Sequence, residues 1–253
     1  MRILLFPAGV FLLLVSVSGC GGSKVLKESE PLVLTQSLAA ASDERLSVTL
    51  EWVIVRDGPG TWAKNADWDE YLFRAHNLSD NKISIDSIVV FDSLETRIES
   101  NFNRKQLVKG SKSATKRYKG EGLNVKAGLG GVGLVAVGGA TYAAGFGALA
   151  ATGVVGAVGA VVVAPVLVVG GVFRAVNNSK VSREIESRST ELPLVLSADS
   201  ELALDIFFPL SPSPVRIEVH YSDTGADYVL SIDTTKELVG LHLSAPEREQ
   251  TAD

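Results

Sequence analysis

The stretch Gly128-Leu129-Gly130-Gly131-Val132-Gly133 fits G-x-G-x-x-G, the glycine pattern that cradles the pyrophosphate of a dinucleotide. That chemistry needs a buried strand before the glycines, a helix opening at them, and an acid about 20 residues on for the ribose. The strand and the acid are missing. The preceding "GEGLNVKA" is a poor buried strand, and no Asp or Glu occurs between Glu121 and Glu184. No nucleotide is therefore expected, and no cofactor of another kind is signalled. His76, His220 and His242 are isolated from one another and from cysteine, so each reads as a surface or strand residue and no metal site is expected. No serine-hydrolase elbow, zinc-protease helix or phosphate loop occurs. The acid pairs Asp67/Asp69 and Glu247/Glu249 sit in polar segments and read as solvated faces. An enzyme is the class least favoured. Trp62 and Trp68 flank the loop "AKNAD"; they mark either a binding or membrane-touching edge or the covered end of a β-domain.

A second constellation is basic. Lys105, Lys109, Lys112, Lys116 and Lys119 are spaced four, three, four and three, which puts five ammonium groups on one helix face. Leu107, Ala114 and Tyr118 supply only a thin apolar stripe opposite. Such a face is either a solvated connector or a stripe for anionic headgroups, worth about 1 kcal/mol per basic residue near the surface. The adjoining apolar stretch favours the headgroup reading. From Ala127 to Phe173 there is no charged side chain, and this stretch holds 13 of the chain's 24 glycines. As one helix it would be about 70 Å long; folded near Ala150 to Gly153, each arm has roughly the 20 residues of a membrane span. Ala136, Ala140, Ala144, Ala148, Thr152, Gly156, Ala160 and Ala164 recur every fourth residue, beside a second row of Gly139, Ala143, Gly147 and Ala151. Small residues at that spacing let helix backbones approach closely in lipid, and the pattern resembles the glycine zippers of membrane-associated proteins. A membrane-inserting or self-associating helical hairpin is the expectation, ahead of burial against the rest of the chain.

The single cysteine, Cys20, ends an apolar run that starts after Arg2. Val17-Ser18-Gly19-Cys20 resembles the lipobox of bacterial lipoproteins: an aliphatic residue, two small ones, then cysteine. The resemblance covers only these first residues. It implies cleavage before Cys20 and acylation of its sulfur and of the new amino terminus, and two or more acyl chains anchor stably where one does not. Gly21 and Gly22 follow rather than Asp, which in the family pattern points to the outer membrane facing the periplasm, with the inner membrane as the alternative. A lone cysteine leaves no intrachain disulfide, so a core must hold the fold. The net charge of −5 gives no sign of nucleic-acid binding.

The elements that must carry these groups read as strands. Val48, Leu50, Trp52 and Ile54 alternate with Ser47, Thr49, Glu51 and Val53, the period of a half-buried antiparallel strand. Asp57-Gly58-Pro59-Gly60 is turn chemistry. Tyr71, Phe73 and Ala75 share a face; Ile83 and Ile85 follow a turn, and the phase then shifts to Ile88 and Val90, the mark of a bulge. The pattern lapses near residue 95 and resumes near 190, where Leu202, Leu204, Ile206 and Phe208, then Val215, Ile217, Val219 and Tyr221, alternate with Ala203, Asp205, Phe207, Arg216, Glu218 and His220. The expected fold is mainly β: an immunoglobulin-like antiparallel β-sandwich interrupted by an inserted helical segment. Its expected parts are a signal peptide (1–19), a tether (20–31), the first part of the sandwich (32–95), a basic helical connector (96–126), the apolar hairpin (127–173), a return connector (174–189), the second part (190–243) and a disordered tail (244–253). The function this implies is a non-enzymatic envelope lipoprotein with a structural or assembly role, its partners being membrane lipid, through Cys20 and residues 127–173, and copies of itself through the hairpin. The alternatives are a pore-forming or membrane-active effector and a periplasmic module binding a glycan or protein.

Overall fold

The computed structural model describes residues 26, 27, 29, 32, 36–128, 136, 137, 140, 141 and 178–244. Cys20 and the rest of the lipobox, and Gly139, Ala143, Gly147, Ala151, Gly156, Ala160 and Ala164 of the small-residue rows, lie outside these residues.

Alternation gives strands where it is strongest. β1 (Ala39–Ser42), β2 (Leu46–Ile54), β3 (Trp68–Asn77), β4 (Ile83–Phe91) and β5 (Arg97–Glu99) precede helix α1 (Arg104–Gly120) and the short β6 (Asn124–Val125). β7 (Ala136–Val137), β8 (Ala140–Thr141), helix α2 (Asn178–Arg188), β9 (Leu194–Leu196), β10 (Glu201–Pro209), β11 (Arg216–Asp223), β12 (Ala226–Asp233) and β13 (Leu243–Ser244) complete the order. One antiparallel sheet runs β1-β2-β3-β10 and a second runs β12-β11-β4-β5, with β9 also on β4. The chain is thus mainly β with antiparallel sheets. Strands from before and after the interruption pair directly in both sheets: β3 with β10, β4 with β9 and β11.

The inner faces of both sheets feed one core. Val48, Leu50, Tyr71, Phe73, Leu204 and Phe208 come from the first sheet, and Ile83, Ile85, Ile88, Val90, Ile217 and Val219 from the second. The bulge expected in β4 is there: His220 faces Ser87 and Tyr221 faces Ile85, so Asp86 is the extra residue. This keeps Ile83 and Ile85, and then Ile88 and Val90, on the buried side.

The outer face of the first sheet departs from the expectation. Val53 and Phe207 fall on the polar side of their alternations, yet both are about 1% exposed: a register shift at Glu51 turns Val53 inward, opposite Tyr71, whereas Phe207 lies on the outer face. For Phe207 the cause is a second apolar layer, in which Leu107 of α1 and Val181 and Ile185 of α2 pack with Trp62, Trp68 and Phe207 over that face. Two-face burial erases the period-two signal that a half-solvated strand would carry.

The continuous helical hairpin expected over residues 127–173 does not hold at four of its positions. Ala136 pairs with Thr141 and Val137 with Ala140 in an antiparallel ladder, so these residues, including Ala136 and Ala140 of the every-fourth row, are extended. The β-branching of Val137 favours this extended form over a helix. Among the described residues no helix is long and apolar enough to cross a membrane. Ser244, placed by sequence in the tail, pairs with Asn124; residues 245–253 lie outside the described part.

Candidate functional site

The best-defined candidate is α1. Its start is fixed by Asn103, whose side chain accepts from the Lys105 N–H at 3.0 Å, and Arg117 and Lys119 lie in its last turn, where cations suit the helix dipole. The inward residues are Leu107, Ser111, Ala114 and Tyr118, all buried. The sequence named three of these four; Ser111 is the addition. Its Oγ accepts from the Leu210 N–H at 2.9 Å and lies 2.5 Å from the Asp67 carbonyl oxygen and 2.9 Å from that of Leu107. Tyr118 Oη donates to the Pro212 carbonyl at 3.1 Å and sits 2.9 Å from Ser93 Oγ. Burial pushes the Tyr118 hydroxyl above the ordinary tyrosine range, against the favourable bond to Ser93. Arg117 donates to the fully buried Asp92 at 2.6 Å, and Asp92 also accepts from the Leu94 and Thr96 N–H groups. Gly110 brings the helix so close to Pro209 that a Cβ would lie 2.6 Å from the proline Cγ.

A helix held at that many points presents its other face in a fixed direction. Lys105, Lys109, Lys112, Lys116 and Lys119 are all on that face and all exposed. α1 carries seven basic residues and no acid. The structure therefore brings together the five lysines that the spacing singled out.

The two tryptophans have another role. Trp62 and Trp68 are 5% and 2% exposed, 6.2 Å apart between ring centroids, and lie beneath α1 and α2. They are packed between the outer face of the first sheet and the two helices and offer no exposed edge. Trp62 Nε1 donates to Glu70 at 2.7 Å, and Arg188 of α2 stands over the Trp62 ring, 3.8 Å from Glu70 and 2.8 Å from Glu184. Burial dominates Glu70 and raises its carboxyl to about 7, although Arg188 and Trp62 pull the other way.

A buried polar group the sequence missed sits where the glycine-rich stretch begins. His242 is fully buried, its Nε2 2.8 Å from Asp69 Oδ2 and its Nδ1 2.9 Å from the Gly128 carbonyl oxygen. A carbonyl can only accept, so Nδ1 donates there. Both ring nitrogens are engaged, which leaves none for a metal or a substrate. Asp69, read from sequence as solvated, is fully buried. The parity of β3 carried the signal: Asp69, Tyr71, Phe73 and Ala75 occupy one face. Gly128 has φ +103°, and a Cβ there would lie 2.7 Å from the Arg56 carbonyl oxygen. The first glycine of the G-x-G-x-x-G match thus answers to a histidine and a backbone carbonyl. β6–β13 pairing and the Lys126 N–H bond to the His242 carbonyl complete this junction. His76 and His220 stand beside single carboxylates, Asp199 and Glu218, each at 3.4 Å. Among the described residues no three His, Cys, Asp or Glu side chains converge as a metal site would require.

No protein-family model and no curated protein matches the chain. Among solved structures it is similar to a Bacillus subtilis protein described as a putative lipoprotein, YcdA, with a TM-score of 0.33 and 8% identity over 80% of this chain. The chain spans 41% of the length of that protein.

Proposed function

We propose that this is a non-enzymatic lipoprotein of the bacterial envelope, anchored through acylated Cys20, in which an immunoglobulin-like β-domain holds a basic helix against an anionic surface. Residues 127–173 then act next to that surface, by entering the bilayer or by joining copies of the chain, in a structural or assembly role. The outer membrane facing the periplasm is the site we favour.

One observation carries the reading. Five exposed lysines line one face of a helix whose opposite face is fixed to the β-domain by Ser111, Arg117 and Tyr118. A charged face on a fixed helix binds headgroups with no ordering cost of its own, and the charge-free stretch begins within ten residues of its end.

The test uses purified full-length protein, with Cys20→Ala to remove the lipid, and vesicles of neutral lipid with or without phosphatidylglycerol. Binding should require the anionic lipid, weaken as salt rises, and fall at least about tenfold in K112E/K116E, at roughly 1 kcal/mol for each cation removed plus the repulsion added. Equal binding to neutral vesicles, or an unaffected double variant, would refute the basic-face reading. Release of a trapped dye by the bound protein would move the assignment to a pore-forming effector.

A further inference from the structure

β5 is the last strand of its sheet: Val89, Val90 and Phe91 of β4 pair with Glu99, Ile98 and Arg97, and among the described residues no strand is hydrogen-bonded to its other side. Among those residues, too, the backbone of Arg97–Glu99 has no hydrogen bond outside that ladder. This edge lines a cleft of about 330 Å³ whose opposite wall is α1. The helix contributes Gln106, Lys109, Gly110, Ser113, Ala114 and Arg117, a single stripe at three- and one-residue steps. Three of the six are small, and their small size keeps the slot open, while Pro209 and Leu210 line it between the two walls.

The polar character of the slot is uneven. Arg97, Lys109 and Arg117 line it against one acid, Glu99. Arg97 and Glu99 pair with each other at 3.0 Å. Arg117 is oriented by buried Asp92, and its Nε–H, shielded from solvent, has no acceptor among the described residues. Charged side chains on a short edge strand also discourage unwanted pairing. A guard, however, needs no opposing wall, and this edge faces one that carries two further cations.

We propose that the cleft between β5 and α1 takes an extended acidic segment of a partner protein, added to β5 as its next strand. Main-chain bonds to the open edge give affinity, and the segment's alternate carboxylates meet Arg97, Lys109 and Arg117. This surface is separate from the outward lysine face except at Lys109, which borders both.

The test is fluorescence anisotropy on the full-length Cys20→Ala protein with three labelled, end-blocked octapeptides: alternating valine and glutamate, alternating valine and lysine, and the glutamate peptide N-methylated at every second residue. The glutamate peptide should bind, the lysine peptide at least about tenfold more weakly, and the N-methylated one no better than the lysine peptide. Ser113→Trp fills the slot from an exposed position and should abolish binding; R97E/K109E should invert the charge preference. K112E/K116E, on the outer face, should change binding less than about twofold. Failure of the glutamate peptide to bind, undiminished binding of the N-methylated peptide, or survival of binding in Ser113→Trp each overturns strand addition. Loss in K112E/K116E instead of R97E/K109E would reassign the binding to the outer lysines and equally overturn it.

Discussion

Glu70 shows how a single side chain can set a pH dependence. It is 2% exposed, and its carboxyl is raised from an ordinary 4.5 to about 7 by burial. In the unfolded chain it ionises near 4.5, so between that value and 7 the folded protein holds a proton the unfolded chain has lost. Its contribution is therefore fully present below about 4.5 and is lost as pH rises through 7. Glu70→Gln keeps the acceptor for Trp62 and removes the titration. Urea unfolding should show the wild type losing roughly 1–3 kcal/mol relative to Glu70→Gln between pH 5 and pH 8. A parallel pH dependence in both proteins would show that Glu70 is not the group responsible. Nothing in the sequence announced this residue, because its burial depends on α2, far along the chain. Asp69, one position away, was legible from its parity with Tyr71 and was misread because Asp67 and Asp69 together look solvated.

At the level of elements, legibility followed periodicity. The four-three spacing of α1 marked its exposed lysines and its buried Leu107, Ala114 and Tyr118, and the phase shift in β4 placed a bulge between Ile85 and Ile88, where Asp86 is the extra residue. Phe207 was hidden because its strand is covered on both faces. The every-fourth small residues were a weaker guide: small size permits close helix packing but does not enforce a helix, and Ala136–Val137 and Ala140–Thr141 pair as strands. For α1 the decisive residue is one with no side chain. A Cβ on Gly110 would lie 2.6 and 2.8 Å from Pro209 Cγ and Cβ, so Gly110→Ala must lift the helix or shift the proline. Its intrinsic helix gain of about 1 kcal/mol is outweighed, and the variant should unfold about 1–3 kcal/mol more easily. Its lysine face should also hold less firmly against anionic vesicles. A variant as stable as the wild type would mean that the close approach is relaxed at no cost.

Across the whole molecule, the interruption is joined to the strand it precedes. On the way in, the Asn101 N–H donates to the Phe207 carbonyl; on the way back, the Thr190 N–H donates to the Asp205 carbonyl, and Thr190 Oγ1 accepts from the Asp205 N–H. β10 is the outermost strand of its sheet, and these two passing segments bond to its open side at Asp205 and Phe207. Deleting residues 129–177 alone should leave a folded protein that stays dispersed in light scattering. Removing residues 100–190 should bare the β10 edge together with Phe207 and give edge-to-edge aggregation. Equal dispersion of the two deletions would show that the edge needs no cover. The same arrangement bears on how the sequence can drift. The flanks at Asn101 and Thr190 are bound to the β-domain, whereas closure entropy scarcely penalises a change of length between Gly128 and Asn178. Copies of this gene could therefore exchange that stretch, lengthen it or reduce it while the domain around it folds as before. Whatever this stretch does is a part that selection can replace without redesigning its support.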